Sequence, residues 1–184
     1  RIGHFKVFES LISHGADYKE VSHLIKLLEI VCTERNLDIF NKIVELRIGV
    51  DEYLLNCVCR IGSFEMLEKL IQSGSAAKHI NSHNCDKNSA LHHACRRLNV
   101  EMVDGLISVG TDVNYKNERL ETCLFDLCKC DTSDYGFSTE FTLILTRLLA
   151  TGIDLNQRNQ NGETALFTAL RLERIDLLEL LVQK

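Results

Sequence analysis

Two histidines and a cysteine lie close together in one polar segment of the chain, at His79, His83 and Cys85. Imidazole and thiolate groups are ligands that zinc prefers, and a fourth ligand could come from His92 or His93. The segment has no Cys-x2-Cys pair, a spacing typical of zinc sites. The pattern therefore favours a polar loop over a metal site, and we expect no bound metal and no other cofactor.

Other chemical signals are weak. No glycine-rich phosphate loop, hydrolase Ser-His-Asp arrangement or pocket with paired carboxylates can be assigned in the sequence, so we expect no enzymatic activity. The formal net charge of −5 argues against binding to nucleic acid, because phosphate contacts need a basic surface. The longest apolar stretch, residues 141–150, is too short to cross a bilayer, so we expect no membrane insertion by this segment.

Short segments of the sequence align with one another. Ser89-Ala-Leu-His-His-Ala aligns with Thr164-Ala-Leu-Phe-Thr-Ala, and an aliphatic pair begins seventeen residues after the start of each. The same register begins at residues 26, 53 and 122, so successive units start 27, 36, 33 and 42 residues apart. The last interval fits 33 residues plus an insertion of nine near residues 131–139. The chain therefore contains an internal repeat.

The period of 33 residues and the motifs within it resemble the ankyrin-repeat family. Leu106-Ile107-Ser-Val-Gly110-Thr-Asp-Val-Asn114 is similar to the family motif Leu-Leu-x-x-Gly-Ala-Asp-Val-Asn, and Leu148-Leu149-Ala-Thr-Gly152-Ile-Asp-Leu-Asn156 repeats it. Leu91-His92 lies where the family has Thr-Pro-Leu-His. The resemblance covers essentially the whole chain. It implies an all-α fold, a solenoid of stacked helix-turn-helix units with short β-hairpin fingers.

The register predicts a single domain over residues 1–184. Its parts are a partial repeat over 1–25, repeats over 26–52, 53–88, 89–121 and 122–163, and an incomplete repeat over 164–184. The unit over 26–52 is about six residues short, which predicts that it lacks a full finger. Neither end resembles a polar capping repeat, so we expect further repeats or another domain beside this segment.

Several recurring positions have a structural interpretation. Leucines two residues into each unit are expected to face the core between repeats: Leu28, Leu55, Leu91, Leu124 and Leu166. Glycines after the second helix of a unit favour a left-handed helix end: Gly15, Gly74, Gly110 and Gly152. Cysteines six residues into four units are interpreted as buried small side chains: Cys32, Cys59, Cys95 and Cys128. Buried free thiols indicate a reducing compartment, so we expect an intracellular, cytoplasmic location.

Basic residues recur seven residues into four units, at Arg60, Arg96, Lys129 and Arg171. Stacking would align them into a ladder near the ends of the first helices. Cations there stabilise the helix dipole, which is a purely structural role. The same ladder could also bind an acidic partner, and both interpretations remain open.

The resemblance implies that the chain binds another protein through its concave face and fingers, as part of a larger adaptor or signalling protein. The alternative is a structural solenoid that packs against other domains of its own chain, in a channel, a cytoskeletal anchor or a multidomain enzyme. Candidate contacts at the fingertips are Ser82, His83, Asp86, Lys87, Lys116, Asn117, Glu118, Arg119, Gln157, Arg158, Asn159 and Gln160. Candidate contacts on exposed positions of the first helices are His93, Arg96, Arg97, Asp126 and Lys129. The resemblance also implies possible asparagine hydroxylation at Asn114 and Asn156.

Overall fold

The chain is described by a computed structural model over residues 10, 28–45, 52–84, 86–130 and 139–173. Residues 28–33 are helical, and the other helices in these ranges follow in chain order. They are α1 (Leu37–Glu45), α2 (Glu52–Ile61), α3 (Phe64–Gln72), α4 (Ser75–His79), α5 (Ala90–Arg96), α6 (Val100–Ser108), α7 (Cys123–Cys128), α8 (Thr139–Ala150) and α9 (Ala165–Arg171).

The helices form two layers. In the first layer α2, α5, α7 and α9 stack in that order, each against the next. In the second layer α1, α3, α6 and α8 stack in the same way. The layers are joined within units, since α2 packs on α3 and α5 packs on α6. This repeated stacking of helix pairs confirms the predicted all-α solenoid.

Local sequence sets the helix ends. Thr164 caps α9, because its side chain accepts a hydrogen bond from the Phe167 backbone N–H. The glycines after α3, α6 and α8 have φ values of +73°, +86° and +83°, as predicted for Gly74, Gly110 and Gly152. Asn99 also caps α6, with its Oδ1 atom 3.0 Å from the Met102 nitrogen, a role that the repeat alignment did not predict.

The core lies between the layers and between successive units. Leu28, Leu55, Leu91 and Leu124 are buried, as predicted for leucines that face the repeat interfaces. The predicted cysteine burial is also confirmed: Cys32, Cys59, Cys95 and Cys128 are all buried. Leu166 is an exception at 37% exposure, because within the described residues nothing stacks on the far side of α9.

The segment between Gly74 and Ser89, for which the sequence favoured a polar loop, contains the one-turn helix α4. The insertion predicted near 131–139 lies outside the described residues except for its last residue, and so does most of the partial repeat over 1–25. In the short unit over 26–52, residues 46–51 lie outside them as well. In the part of the chain that the structure describes, no helix is both long and apolar enough to cross a membrane.

Candidate protein-binding surface

Each finger in the described ranges is built on one asparagine. The Oδ1 atom of Asn117 accepts hydrogen bonds from the backbone nitrogens of Arg119 at 2.9 Å and Glu121 at 3.0 Å. Asn84 and Asn159 accept the same pair of bonds, from the second and fourth residues after them. In each finger the asparagine N–H also donates to the carbonyl of that fourth residue, at 2.9–3.0 Å. The asparagine therefore closes the turn from inside, as Asx turns do.

This geometry contradicts the expected exposure of two candidate contacts. Asn117 and Asn159 were expected at the fingertips, but both are buried, at 6% and 9% exposure. Their side chains point into the turn because the backbone N–H groups there need an acceptor. Asn117 Nδ2 also donates to Asn88 Oδ1 at 2.9 Å, which links two fingers. A signal was available in the sequence, because Asn84, Asn117 and Asn159 repeat at the same 33- and 42-residue intervals as the units.

Backbone hydrogen bonds join the fingers into one edge. The Glu118 nitrogen donates to the Asp86 carbonyl at 3.3 Å, and the Gln160 nitrogen donates to the Arg119 carbonyl at 3.0 Å. The Gln160 side chain adds a bond from Nε2 to the Glu118 carbonyl at 2.6 Å. Successive fingers are therefore held in register along the stack.

A second set of asparagine contacts lies below the tips. Asn81 Oδ1 accepts from the Asp112 nitrogen at 2.8 Å, and Asn114 Oδ1 accepts from the Asp154 nitrogen at 2.7 Å. Asn114 Nδ2 also donates to the Gly152 carbonyl at 3.1 Å. Asn114 thus has a structural role between units, whereas the equivalent Asn156 is exposed. Hydroxylation at either position stays a prediction.

Most of the predicted fingertip side chains are exposed. The exposed ones are His83, Asp86, Lys87, Lys116, Glu118, Arg119, Arg158 and Gln160, while Ser82 and Gln157 are half-buried. The His83 ring stacks on Tyr115 with ring centroids 6.0 Å apart. Leu120 is a further exposed tip residue, at 47% exposure and a φ of +58°, that the sequence analysis did not include.

Two candidates on the first helices are not exposed. His93 is 8% exposed and Asp126 is fully buried. Asp126 lies under the guanidinium of Arg96, whose Nε atom is 2.9 Å from Asp126 Oδ1. The carboxylate is buried because α5 and α7 stack directly at this point, and Arg96 compensates its charge. The expectation of exposure is therefore wrong for these two residues.

The predicted basic ladder is neutralised along its length. Arg60 pairs with Glu29 at 2.8 Å, and Lys129 pairs with Glu121 at 2.6 Å. Arg171 lies 3.6 Å from Glu163, and Arg96 pairs with Asp126. Each cation thus has a carboxylate of its own chain, which favours the structural interpretation of the ladder. Arg97, one residue after Arg96, is exposed and has no ion pair with any acidic residue that the structure describes.

His92 closes the start of α5 and contacts the next unit. Its Nδ1 atom accepts from the Ser89 N–H at 3.3 Å, and its Nε2–H donates to the Glu121 carbonyl at 3.0 Å. Burial lowers the pKa of His92, so the imidazole is neutral at pH 7. This arrangement uses both ring nitrogens and leaves neither for a metal.

The zinc hypothesis finds no support among the residues whose positions are described. No group of three or more histidine, cysteine or acidic side chains in those ranges could hold a metal ion. Cys85, one of its three proposed ligands, lies outside them.

The repeat architecture agrees with comparison to known proteins. Residues 27–117, about half of the chain, match the family model for ankyrin repeats in three copies. Among curated proteins, none matches the chain. Ankyrin repeats are generally protein–protein interaction modules, and the fold is typically non-catalytic. The matched repeats and the two-layer stack of helix pairs together place the chain in the ankyrin-repeat family.

Proposed function

We propose that this chain is the partner-binding part of a larger adaptor or signalling protein, and that its fingertips contact the partner protein. The observation that carries the proposal is the register of the fingers. Three asparagine-closed turns are bonded to one another and present different side chains at equivalent positions. A fixed frame with variable tips is how a solenoid forms an extended binding surface.

The proposed contact surface consists of exposed side chains on neighbouring fingers. Lys87, Lys116 and Arg119 contribute three cations, and Asp86 and Glu118 contribute two carboxylates. Such a mixed surface favours a polar, charge-complementary contact, because complementary charges set partner choice and association rate. Because the tips are held by backbone hydrogen bonds, little conformational entropy is lost when they bind.

We also propose an intracellular location. Its support is the position of the cysteines, because those that the structure describes are buried. Burial raises the pKa of Cys32 to about 12 and raises that of Cys57, so these thiols stay protonated and serve as small apolar side chains. Such use of cysteine is typical of reducing compartments.

Affinity capture with a matched pair of baits tests the proposal. The test bait carries Lys87→Ala, Lys116→Ala and Arg119→Ala on the fingers. The control bait carries Lys42→Ala, Lys69→Ala and Arg147→Ala on the second-layer helices α1, α3 and α8, and so loses the same number of positive charges. Proteins captured by the native chain are identified by mass spectrometry, then purified and titrated calorimetrically against each bait.

We expect a partner that binds the native chain and the control bait but not the fingertip bait. Equal loss of binding by both variants would indicate nonspecific charge attraction and would contradict the proposal. If a well-folded native chain binds no partner, the alternative gains support, in which the solenoid packs against other domains of its own chain.

A further inference from the structure

One groove lies between the finger residues Asn84, Asp86 and Asn88 and the C-terminal ends of α2 and α5. Its volume is about 330 Å³, enough for one or two side chains of a bound peptide. The helical side is lined by Arg60, His93, Arg96 and Arg97, and the carboxylate-bearing residue on the finger side is Asp86. The groove thus brings three guanidinium groups around one imidazole.

The imidazole of His93 has a nitrogen whose hydrogen-bonding capacity is unused. The residue is 8% exposed, and its Nε2 atom is buried without a hydrogen-bond partner in the structure. A buried polar atom without a partner is destabilising, and native proteins rarely leave one unless a ligand or water completes it. Since His93 lines the groove, an acceptor that enters the groove can take the Nε2–H bond.

The charges around His93 define the acceptor. Arg60 and Arg96 are already paired, with Glu29 and Asp126, but Arg97 has no ion pair within the described residues. The Nε atom of Arg97 donates to the Arg60 carbonyl at 2.5 Å, which fixes the side chain and leaves its terminal N–H groups for a ligand. Arginine N–H groups bind carboxylates strongly.

The pKa of His93 agrees with a positive potential in the groove. It is lowered to about 4, first by burial and then by electrostatic interaction with Arg96, His92, Arg60 and Arg97. Asp86 also lines the groove, and its carboxylate would repel a doubly charged ligand more than a singly charged one. A singly charged acceptor therefore fits better than a phosphate dianion.

We propose that this groove binds the carboxylate of an aspartate or glutamate side chain in an acidic segment of the partner protein. The His93 Nε2–H and the Arg97 guanidinium are the donors. The inference rests on the proposed function as a partner-binding module and adds the chemistry of the partner.

The test uses two blocked peptides, acetyl-Ser-Gly-Glu-Gly-Ser-amide and the same peptide with glutamine in place of glutamate. Each is titrated into the native chain at physiological ionic strength while the ring signals of His93 are followed by NMR. We expect the glutamate peptide alone to shift these signals and to raise the pKa of His93 from about 4, because a carboxylate stabilises the imidazolium.

Two matched variants then assign the site. Arg97→Gln is expected to weaken binding of the glutamate peptide about tenfold, since it removes a charge-assisted donor. Arg147→Gln makes the same substitution at an exposed position on α8, which does not line the groove, and is expected to change the affinity by less than about twofold, because exposed charges are screened by salt. Circular dichroism checks that both variants are folded.

Equal responses to the glutamate and glutamine peptides would overturn the inference, as would binding that survives Arg97→Gln. A third peptide with phosphoserine in the central position tests the charge argument, and a response to it alone would also overturn the inference. Capture of a partner through the fingertips without any response to the glutamate peptide would leave the proposed function standing while this inference fails. Binding of the glutamate peptide without any captured partner would support the groove while the proposed function fails.

Discussion

Asparagine is the residue on which each described finger depends. In the finger of residues 117–121, one amide side chain accepts two backbone hydrogen bonds and donates a third to Asn88 on the preceding finger. Aspartate could accept the two bonds but could not donate the third, and alanine could do neither. The side chain is buried, so water cannot easily replace it.

Asn117→Ala is therefore expected to destabilise the chain by about 3 kcal/mol, because two backbone N–H groups lose their acceptor and Asn88 loses its donor. Urea unfolding followed by circular dichroism measures the change in the free energy of unfolding. Asn161→Ala is the control, at an exposed position two residues after the equivalent Asn159. It should cost less than about 0.5 kcal/mol. Similar losses in both variants would show that the turn does not depend on the buried amide.

The helices and their order were predictable from the sequence because stacking imposes one pattern on every unit. Leucines, cysteines and glycines recur at fixed offsets in the units, so several weak signals agree. The binding surface was less predictable, because burial at a tip depends on the direction of a single side chain. Asn117 and Asp126 are polar residues in regions expected to be exposed, yet each completes a hydrogen bond or ion pair inside the stack. The repeat period predicts where a residue lies within its unit, but it does not predict which hydrogen-bond or ion-pair partner the side chain has.

Two glycines, one within α6 and one directly after it, allow backbone strain to be distinguished from helix propensity. Gly110 follows the helix at a φ of +86°, where an added Cβ meets no atom within 4 Å but the backbone conformation is strained. Gly110→Ala should therefore cost about 1 kcal/mol. Gly105 lies inside the helix, and an added Cβ would lie 3.4 Å from Ile71 Cδ1, an ordinary contact. Gly105→Ala should leave stability unchanged or raise it by up to about 1 kcal/mol, through helix propensity. Thermal and urea unfolding of the pair measure both effects, and equal signs would contradict the conformational argument.

On the scale of the whole molecule, each unit is stabilised by its neighbours. The interface between α5 and α7 contains the His92 bond to the Glu121 carbonyl, the Arg96–Asp126 ion pair and the Cys130 thiol, which donates to the Cys95 carbonyl at 3.3 Å. Solenoids unfold as sums of unit stabilities and interface terms. A substitution that weakens only one interface can therefore allow the units on its two sides to unfold at different urea concentrations.

The Arg96–Asp126 pair allows this to be measured, because its two partners are unequally exposed. The Asp126 side chain is fully buried, whereas that of Arg96 is 55% exposed. Arg96→Met leaves a buried carboxylate without its counter-ion and should cost about 3 kcal/mol or more. Asp126→Asn removes the buried charge, keeps an amide oxygen that can accept from Arg96, and leaves the exposed guanidinium to be solvated by water, so it should cost less, about 1–2 kcal/mol for the buried amide N–H groups.

The position of the pair in the stack predicts how the larger loss is distributed. For Arg96→Met we expect a lower urea m-value or two resolved transitions, since the interface between α5 and α7 no longer couples the units on its two sides. Hydrogen exchange should then distinguish residues 123–130 and 139–173 from residues 52–84, with the less stable side exchanging faster than in the native chain. Asp126→Asn should keep one transition with an unchanged m-value. Two outcomes would contradict this expectation. One is a larger loss of stability for Asp126→Asn than for Arg96→Met, and the other is a single native-like transition for both variants. Either would show that coupling between these repeats does not depend on the burial of the carboxylate.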